Sequence, residues 1–414
     1  MISFIFDIVL IVVGVLVYGY IGWRLIVFPE FSRFWKFILW SILIMFMVIP
    51  SIPFILSSNK IESIWIDTFA WIAYLSLSFF PIVFMSLLAK DITFFIKNIV
   101  QKTHLPIHRF FRSDAKAMGV KDISRRLFLE RSLNLGLLCM SGTIVGYGVQ
   151  EAERCPAVTK VSIPFDNLPP ELESLQIVQI SDIHVGTTIK RDYVQAVMER
   201  VNSLAPDIIA FTGDVADGSV RYLREHISPL AELSARYGSY FVTGNHDYYS
   251  GAEAWVEEMD RIGFTVLMNE HRIIDHGTAS LLLAGVTDYS AEHHISSHAS
   301  DPFAALSGSS RCDLKVILAH QPRSIFAVSQ SGFDLQLSGH THGGQTFPVQ
   351  FIESLRPPHY VAGLHKHKNT WIYVNRGTGY WGPPQRLSVR SEITLIKLTN
   401  SKLLGARESV ILNI

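Results

Sequence analysis

Over the first 150 residues of this chain, apolar positions run together instead of alternating with polar ones. Four stretches, about 2–23, 37–56, 64–88 and 133–149, are long and apolar enough to predict transmembrane helices. The fourth is the shortest, and Gly136, Ser141, Gly142 and Gly146 dilute it. Asp7 and Asp67 stand near the ends of their runs, where a carboxylate sits at headgroup level. From Leu175 onward the pattern changes: short apolar runs alternate with amphipathic segments. It predicts strands at 175–180, 208–212, 239–242, 265–268, 281–286, 315–318, 335–337, 371–374 and 393–397. Helices are predicted at 193–203, 222–235 and 252–262. Alternating β-α-β units early and hairpin-like pairs later imply an α/β fold of mixed sheets flanked by helices. Between the halves, 151–170 has no apolar periodicity and carries Pro156, Pro164, Pro169 and Pro170, as a linker does. The expected organisation is a membrane region 1–150, a linker 151–170 and a globular domain 171–414.

Charge gives the membrane region a direction. The first loop carries Arg24, Arg33 and Lys36, and the second only Lys60 beside Glu62. The third carries Lys90, Lys97, Lys102, Arg109, Arg112, Lys116, Lys121, Arg125, Arg126 and Arg131. Placing the first and third loops in the cytoplasm satisfies the positive-inside bias and puts the C-terminal half outside. For a bacterial inner membrane that is the periplasmic, extracytoplasmic side. The string Ser124-Arg125-Arg126-Leu127-Phe128-Leu129, followed by a modestly apolar run, resembles a twin-arginine export signal. Overall, Lys+Arg and Asp+Glu are equal at 36 each, so no basic surface advertises nucleic acid as a partner. Cys139, Cys155 and Cys312 are too few and scattered for a disulfide framework or a thiolate metal site.

Five short segments carry the chemistry: Asp182-Ile183-His184, Gly213-Asp214-Val215-Ala216-Asp217, Gly244-Asn245-His246-Asp247, His320, and Gly339-His340-Thr341-His342. Each follows or closes a predicted strand, and in α/β folds the carboxyl ends of strands converge on one crevice. Glycine before Asp214, Asn245 and His340 suits the sharp turns those positions need. The donors are carboxylate, amide oxygen and imidazole, without thiolate. That set suits two adjacent divalent metals and a phosphoester hydrolase. It admits Mn, Fe or Zn, and Mg less comfortably.

In this order the five segments resemble the calcineurin-like metallophosphoesterase superfamily over about 175–398. The strings Gly244-Asn245-His246-Asp247-Tyr248-Tyr249-Ser250-Gly251, Ser338-Gly339-His340-Thr341-His342-Gly343-Gly344-Gln345 and Asn375-Arg376-Gly377-Thr378-Gly379 look like its membrane-associated bacterial branch of YkuE- and YaeI-type phosphodiesterases. No metal position departs from the pattern, although four spans exceed the single anchor usual in that branch. The resemblance implies a four-layer α/β/β/α sandwich in which Asp182, His184, Asp214 and His342 hold one metal. Asp214, Asn245, His320 and His340 would hold the other, with Asp214 shared and a bridging hydroxide attacking phosphorus. His246 would stabilise the transition state or protonate the leaving oxygen. Asp217 would orient a ligand histidine or the loop from behind, and Asp247 would have the same role.

A catalytic crevice held at the outer face of a membrane favours a lipid-linked or envelope-derived phosphodiester or pyrophosphate. The pairs Tyr248-Tyr249 and Tyr380-Trp381, with Phe347, offer either an apolar rim or ordinary packing. Arg376 and Arg386 offer either phosphate contacts or, more often for lone arginines, a surface ion pair or packing of the stem. Two alternatives remain on this evidence: a phosphomonoesterase using the same metals, and a membrane sensor whose domain only binds ligand.

Overall fold

A computed structural model of the chain describes residues 2–27, 31–58, 61–103, 120–346 and 349–401. Lys60, Arg109, Arg112, Lys116 and Phe347 lie outside them. The chain forms two compact units, Met1–Ser58 with Trp65–Tyr147, and Asn59–Ile64 with Gly148–Ile414.

The first unit is helical. Its helices are α1 (Ile2–Gly22), α2 (Arg33–Val48), α3 (Ser51–Ser58), α4 (Ile64–Thr103) and α5 (Val120–Glu153), the last turns of α5 grouping with the second unit. Among the described residues three segments are long and apolar enough to cross a membrane: Arg33–Pro53, Ile64–Val100 and Leu127–Glu153. Ile11–Val27 is a shorter apolar helix. The fourth predicted stretch therefore belongs to a helix of 34 residues, about 51 Å at 1.5 Å per residue. The Ser124–Leu129 string lies inside that helix. Ile21, Leu43, Val83 and Leu87 pack with Leu137 and Leu138, joining α1, α2, α4 and α5. Opposite charges meet within this bundle: Arg24 pairs with Asp91, and Lys90 lies 3.8 Å from Glu130 and 2.6 Å from Asn134 Oδ1.

The second unit is built on twelve described strands. The first sheet contains β1 (Ala157–Phe165), β2 (Gln176–Ile180), β3 (Ile208–Phe211), β4 (Ser239–Phe241), β5 (Phe264–Val266) and β12 (Glu392–Asn400). The second contains β6 (Glu270–His276), β7 (Ala279–Gly285), β8 (Leu314–Leu318), β9 (Leu335–Ser338), β10 (Gly363–His367) and β11 (Thr370–Val374). Their orders are β1-β12-β2-β3-β4-β5 and β10-β11-β9-β8-β7-β6. Strands β2 to β5 run parallel, as do β7, β8, β9 and β11. The hairpins β6–β7 and β10–β11 are antiparallel.

Alternation within the strands creates the layers. Ile177, Ile208 and Ala210 face Leu281, Leu283, Val316 and Leu337 between the sheets. Their neighbours Val178, Ile209 and Phe211 face outward onto Val194, Val197, Leu223, Trp255 and Met259 of the covering helices. On the far side Leu282, Ala284 and Ile317 meet Ile325 and Val328. Both sheets are apolar on both faces because each is covered on both, which is the expected four-layer α/β/β/α sandwich.

The linker expectation for 151–170 is corrected. Residues 151–153 end α5, and Ala157–Phe165 is the nine-residue edge strand β1, paired in parallel with β12 along its whole length. Proline is tolerated there because an edge strand needs ladder bonds on one side only.

Candidate metal centre

The polar segments stand where the parallel strands end. Asp182 and His184 follow β2, Asp214 follows β3, Asn245 follows β4, His320 follows β8, and His340 and His342 follow β9. All seven residues expected to hold metal come together at this edge. Asp182, His184 and His342 form one converging group, and Asp214, His320 and His340 another.

In the first group His184 Nε2 lies 3.1 Å from His342 Nε2 and 3.7 Å from Asp214 Oδ2. Asp182 Oδ1 is 3.5 Å from His342 Nε2. In the second, His320 Nε2 lies 3.1 Å from Asp214 Oδ2, 3.2 Å from Asn245 Oδ1 and 3.3 Å from His340 Nδ1. Asp214 Oδ2 thus faces both groups. His320 Nδ1–H donates to the Thr212 carbonyl at 2.7 Å, which aims Nε2 into the cluster, where a metal would displace its proton. Several buried lone pairs aimed at shared points, with nitrogen and oxygen donors only, fit a pair of divalent cations.

The backbone is held in an unusual state to achieve this. Asp182, His184, Asp214, His340 and His342 have φ of 52°, 54°, 56°, 74° and 51°, values few non-glycine residues adopt outside strained functional loops. Gly213, at φ 88°, needs conformational freedom, but Gly244 sits at φ −104°. Its glycine is required for space, since a Cβ would overlap the Asp214 carboxylate.

Two aspartates organise the site from behind. Both oxygens of Asp217 lie 3.2 Å from His184 Nδ1, and Oδ1 lies 2.7 Å from His246 Nδ1. Asp247 accepts backbone N–H bonds from Gly244, Val215 and Asp214 at 2.7, 2.9 and 3.0 Å. It clamps the loops that carry Asp214 and Asn245. That role was weakly legible from its place three residues after Gly244, at the start of a helix.

Electrostatics follow the charges. Burial opposes ionisation of Asp214, but His320, His246 and His184 outweigh it and hold the carboxyl well below the usual range. Burial also resists charge on His246, yet Asp217 and Asp214 push it up to about 9. Burial and His320 draw His340 down to about 3, which keeps its imidazole neutral.

The aromatic pairs divide cleanly. Tyr248 and Tyr380 are buried, whereas Tyr249 and Trp381 are more than half exposed and flank His246 edge-on, with ring centroids 5.1 and 5.4 Å away. Gln345 holds the Trp381 backbone through both its amide atoms. The arginines divide too, Arg376 taking the ion-pair alternative and Arg386 neither alternative. Arg376 pairs with buried Glu392 at 2.8 Å, and Arg386 is buried behind His342 rather than at the surface.

A model of the calcineurin-like phosphoesterase family matches residues 175–344. An uncharacterised metallophosphoesterase of Helicobacter pylori is 36% identical over 280 residues, 66% of this chain and 72% of its own. The Bacillus subtilis metallophosphoesterase YkuE is 30% identical over 292 residues, 68% of this chain and all of its own. A Bos taurus transmembrane protein with metallophosphoesterase domain is 38% identical over 294 residues. That match covers 68% of this chain but 65% of the bovine one, and the corresponding Danio rerio protein is covered over 61%. The chain spans just under two thirds of the length of these vertebrate relatives.

Fold, site and relatives define one class: the chain belongs to the calcineurin-like metallophosphoesterases. The fold of that family implies a dinuclear divalent metal centre, and the converging side chains are of the kind that could hold one.

Proposed function

We propose that the protein is a membrane-anchored phosphoesterase that cleaves phosphodiester or pyrophosphate bonds in lipid-linked or cell-envelope substrates. The observation that carries this reading is the convergence of seven donor side chains from five strand ends, with Asp214 Oδ2 facing both groups. Asp182, His184, Asp214 and His342 would hold one cation, and Asp214, Asn245, His320 and His340 the other. When bound, such a pair neutralises phosphoryl oxygens and activates water.

The remaining steps belong to the chain itself. Asp217 keeps the Nδ1 of His246 occupied, so the opposite ring nitrogen is free to give a proton to the leaving oxygen. The same carboxylate fixes the ring of His184. Exposed Tyr249 and Trp381 beside His246 offer an amphipathic wall to a leaving group with apolar surface.

The catalytic unit is assigned to the extracytoplasmic side of a bacterial cytoplasmic membrane, in keeping with the loop charges, the twin-arginine-like string and the bacterial relatives. A contact within the second unit supports the crossing pattern. Glu62, from the connector Asn59–Ile64, accepts the backbone N–H of Ser219 at 2.6 Å and pairs with its hydroxyl. If this connector and the catalytic domain share one side, the helices between them cross an even number of times. Crossings by α4 and by α5 satisfy that condition.

The test is hydrolysis of bis-p-nitrophenyl phosphate by the full chain in detergent micelles with Mn, Fe, Zn or Mg, beside Asp214→Asn. Metal-dependent turnover abolished in the variant is the expected result. Turnover on p-nitrophenyl phosphate alone would favour the monoesterase. Folded, metal-loaded protein inert on both would favour the ligand-binding sensor.

A further inference from the structure

Arg386 is among the largest fully buried side chains of the protein. Among the described residues no carboxylate lies within ion-pair distance of it. Instead, its guanidinium is spent on backbone carbonyls. Nη1 donates to the oxygens of His342 at 3.1 Å and Arg376 at 2.8 Å. Nη2 reaches those of Gly377 at 3.5 Å and Gly379, and lies 3.3 Å from His342 Nδ1. A buried cation without a counter-ion is costly; its Nη1 and Nη2 point at one metal-ligand loop and one glycine-rich turn, while Nε meets no partner among the described residues.

That turn, 375–379, also grips the loop after β2. Thr378 N–H donates to the Ser181 carbonyl at 2.7 Å, and Gly379 N–H to the Asp182 carbonyl at 2.9 Å. The Ser181 N–H donates back to Thr378 Oγ1 at 3.1 Å. Space explains the glycines: a Cβ on Gly377 would meet His342 Nδ1 at 2.7 Å and Arg386 Nη2 at 3.0 Å, and one on Gly379 would overlap the Ile183 carbonyl.

We infer that Arg386 is a positioning residue for one metal site only, locking His342 to the loop that carries Asp182 and His184. The other group is held by different means: Thr212 anchors His320, and Asp247 anchors the loops of Asp214 and Asn245. The two sites are therefore braced by different side chains, although Asp214 faces both, His340 and His342 share one loop, and the His340 N–H donates to the Asp182 carboxylate at 3.0 Å. The inference rests on the two-metal reading above and adds an asymmetry to it.

The experiment is Mn(II) titration of the full-length protein in detergent, with bound metal counted by elemental analysis, for wild type, Arg386→Met and Arg386→Lys. Wild type is expected to hold two ions. Arg386→Met should retain one, with affinity for the other weakened about 10–100-fold. Arg386→Lys, which keeps a donor but not the fork, should fall between them. Two ions at unchanged affinity in Arg386→Met would overturn the inference. Loss of both ions in step with a lowered melting temperature would also overturn it, leaving a purely structural arginine. A wild type that binds no metal would instead remove the two-metal reading itself.

Discussion

Asp217 Oδ1 lies 2.7 Å from Nδ1 of His246, and the same carboxylate lies 3.2 Å from Nδ1 of His184. One side chain therefore orients both a candidate metal ligand and the candidate acid. Asparagine keeps the size and one oxygen within reach of both rings, but it removes the charge that strengthens both bonds and puts an NH2 in place of the second oxygen, so both rings are held more weakly. Asp217→Asn is expected to lower kcat about 10–100-fold. Its metal content should also fall at limiting metal, because His184 loses its fixed orientation. Wild-type metal affinity with a reduced kcat would confine the role of Asp217 to His246.

If His246 donates a proton to the leaving oxygen, its removal should hurt poor leaving groups most. His246→Gln is expected to cost about 10²–10⁴-fold in kcat with an alkyl leaving group. With p-nitrophenolate, which leaves without help, the loss should be markedly smaller. A leaving-group series for both proteins reads this as a change of slope. Parallel lines would mean that His246 stabilises charge on phosphorus instead.

Most of the metal centre is legible in the sequence because its residues occupy a repeated position: the first polar residues after a buried parallel strand. Asp182, Asp214, Asn245, His320 and His340 all follow that rule. The strands the pattern misses are β1, β6 and β10, and each is a sheet edge. Two of these edges carry polar strings, Glu270-His271-Arg272 and His365-Lys366-His367, with Arg272 and Lys366 exposed, where apolar residues invite unwanted pairing. Arg386 is illegible for another reason. Its partners are backbone carbonyls, and a carbonyl leaves no trace in side-chain pattern.

Acid stability has its own marker in Glu258, a buried carboxylate that accepts two bonds from Arg261 at 2.8 and 2.6 Å and pairs with Arg224 at 2.9 Å. Hydrogen bonds from Arg261 chiefly hold its carboxyl below the usual range, with the charge of Arg224 adding to them. A depressed folded-state pKa stabilises above the unfolded value of about 4.3, and that contribution is lost as pH falls through the folded value. Glu258→Gln should therefore melt lower by about 2 °C at pH 7, the arginines being solvent-screened. The difference should close as pH falls below the folded value of Glu258. An offset independent of pH would point to lost packing rather than lost charge.

Removal of metal tests the centre without mutation. Asp182 and Asp214 are buried together, and their like charges oppose one another: burial and Asp214 both raise the carboxyl of Asp182. Two divalent ions would relieve that conflict in the folded state and find no such arrangement in the unfolded chain. At free metal a thousandfold above Kd, each ion adds about 4 kcal/mol. Chelation should then lower the melting temperature of the catalytic unit by about 10 °C or more, with recovery on adding back Mn or Zn. The loss should shrink in mild acid, where protons compete with the metal for its ligands and the bound ions contribute less. Because His320 and Asp214 belong to one cluster, Asp214→Asn should melt near the chelated wild type and show no further drop on chelation. If chelation leaves both proteins unchanged, the converging donors are held by the fold alone and the two-metal centre is refuted on thermodynamic grounds, whatever the assay of activity shows.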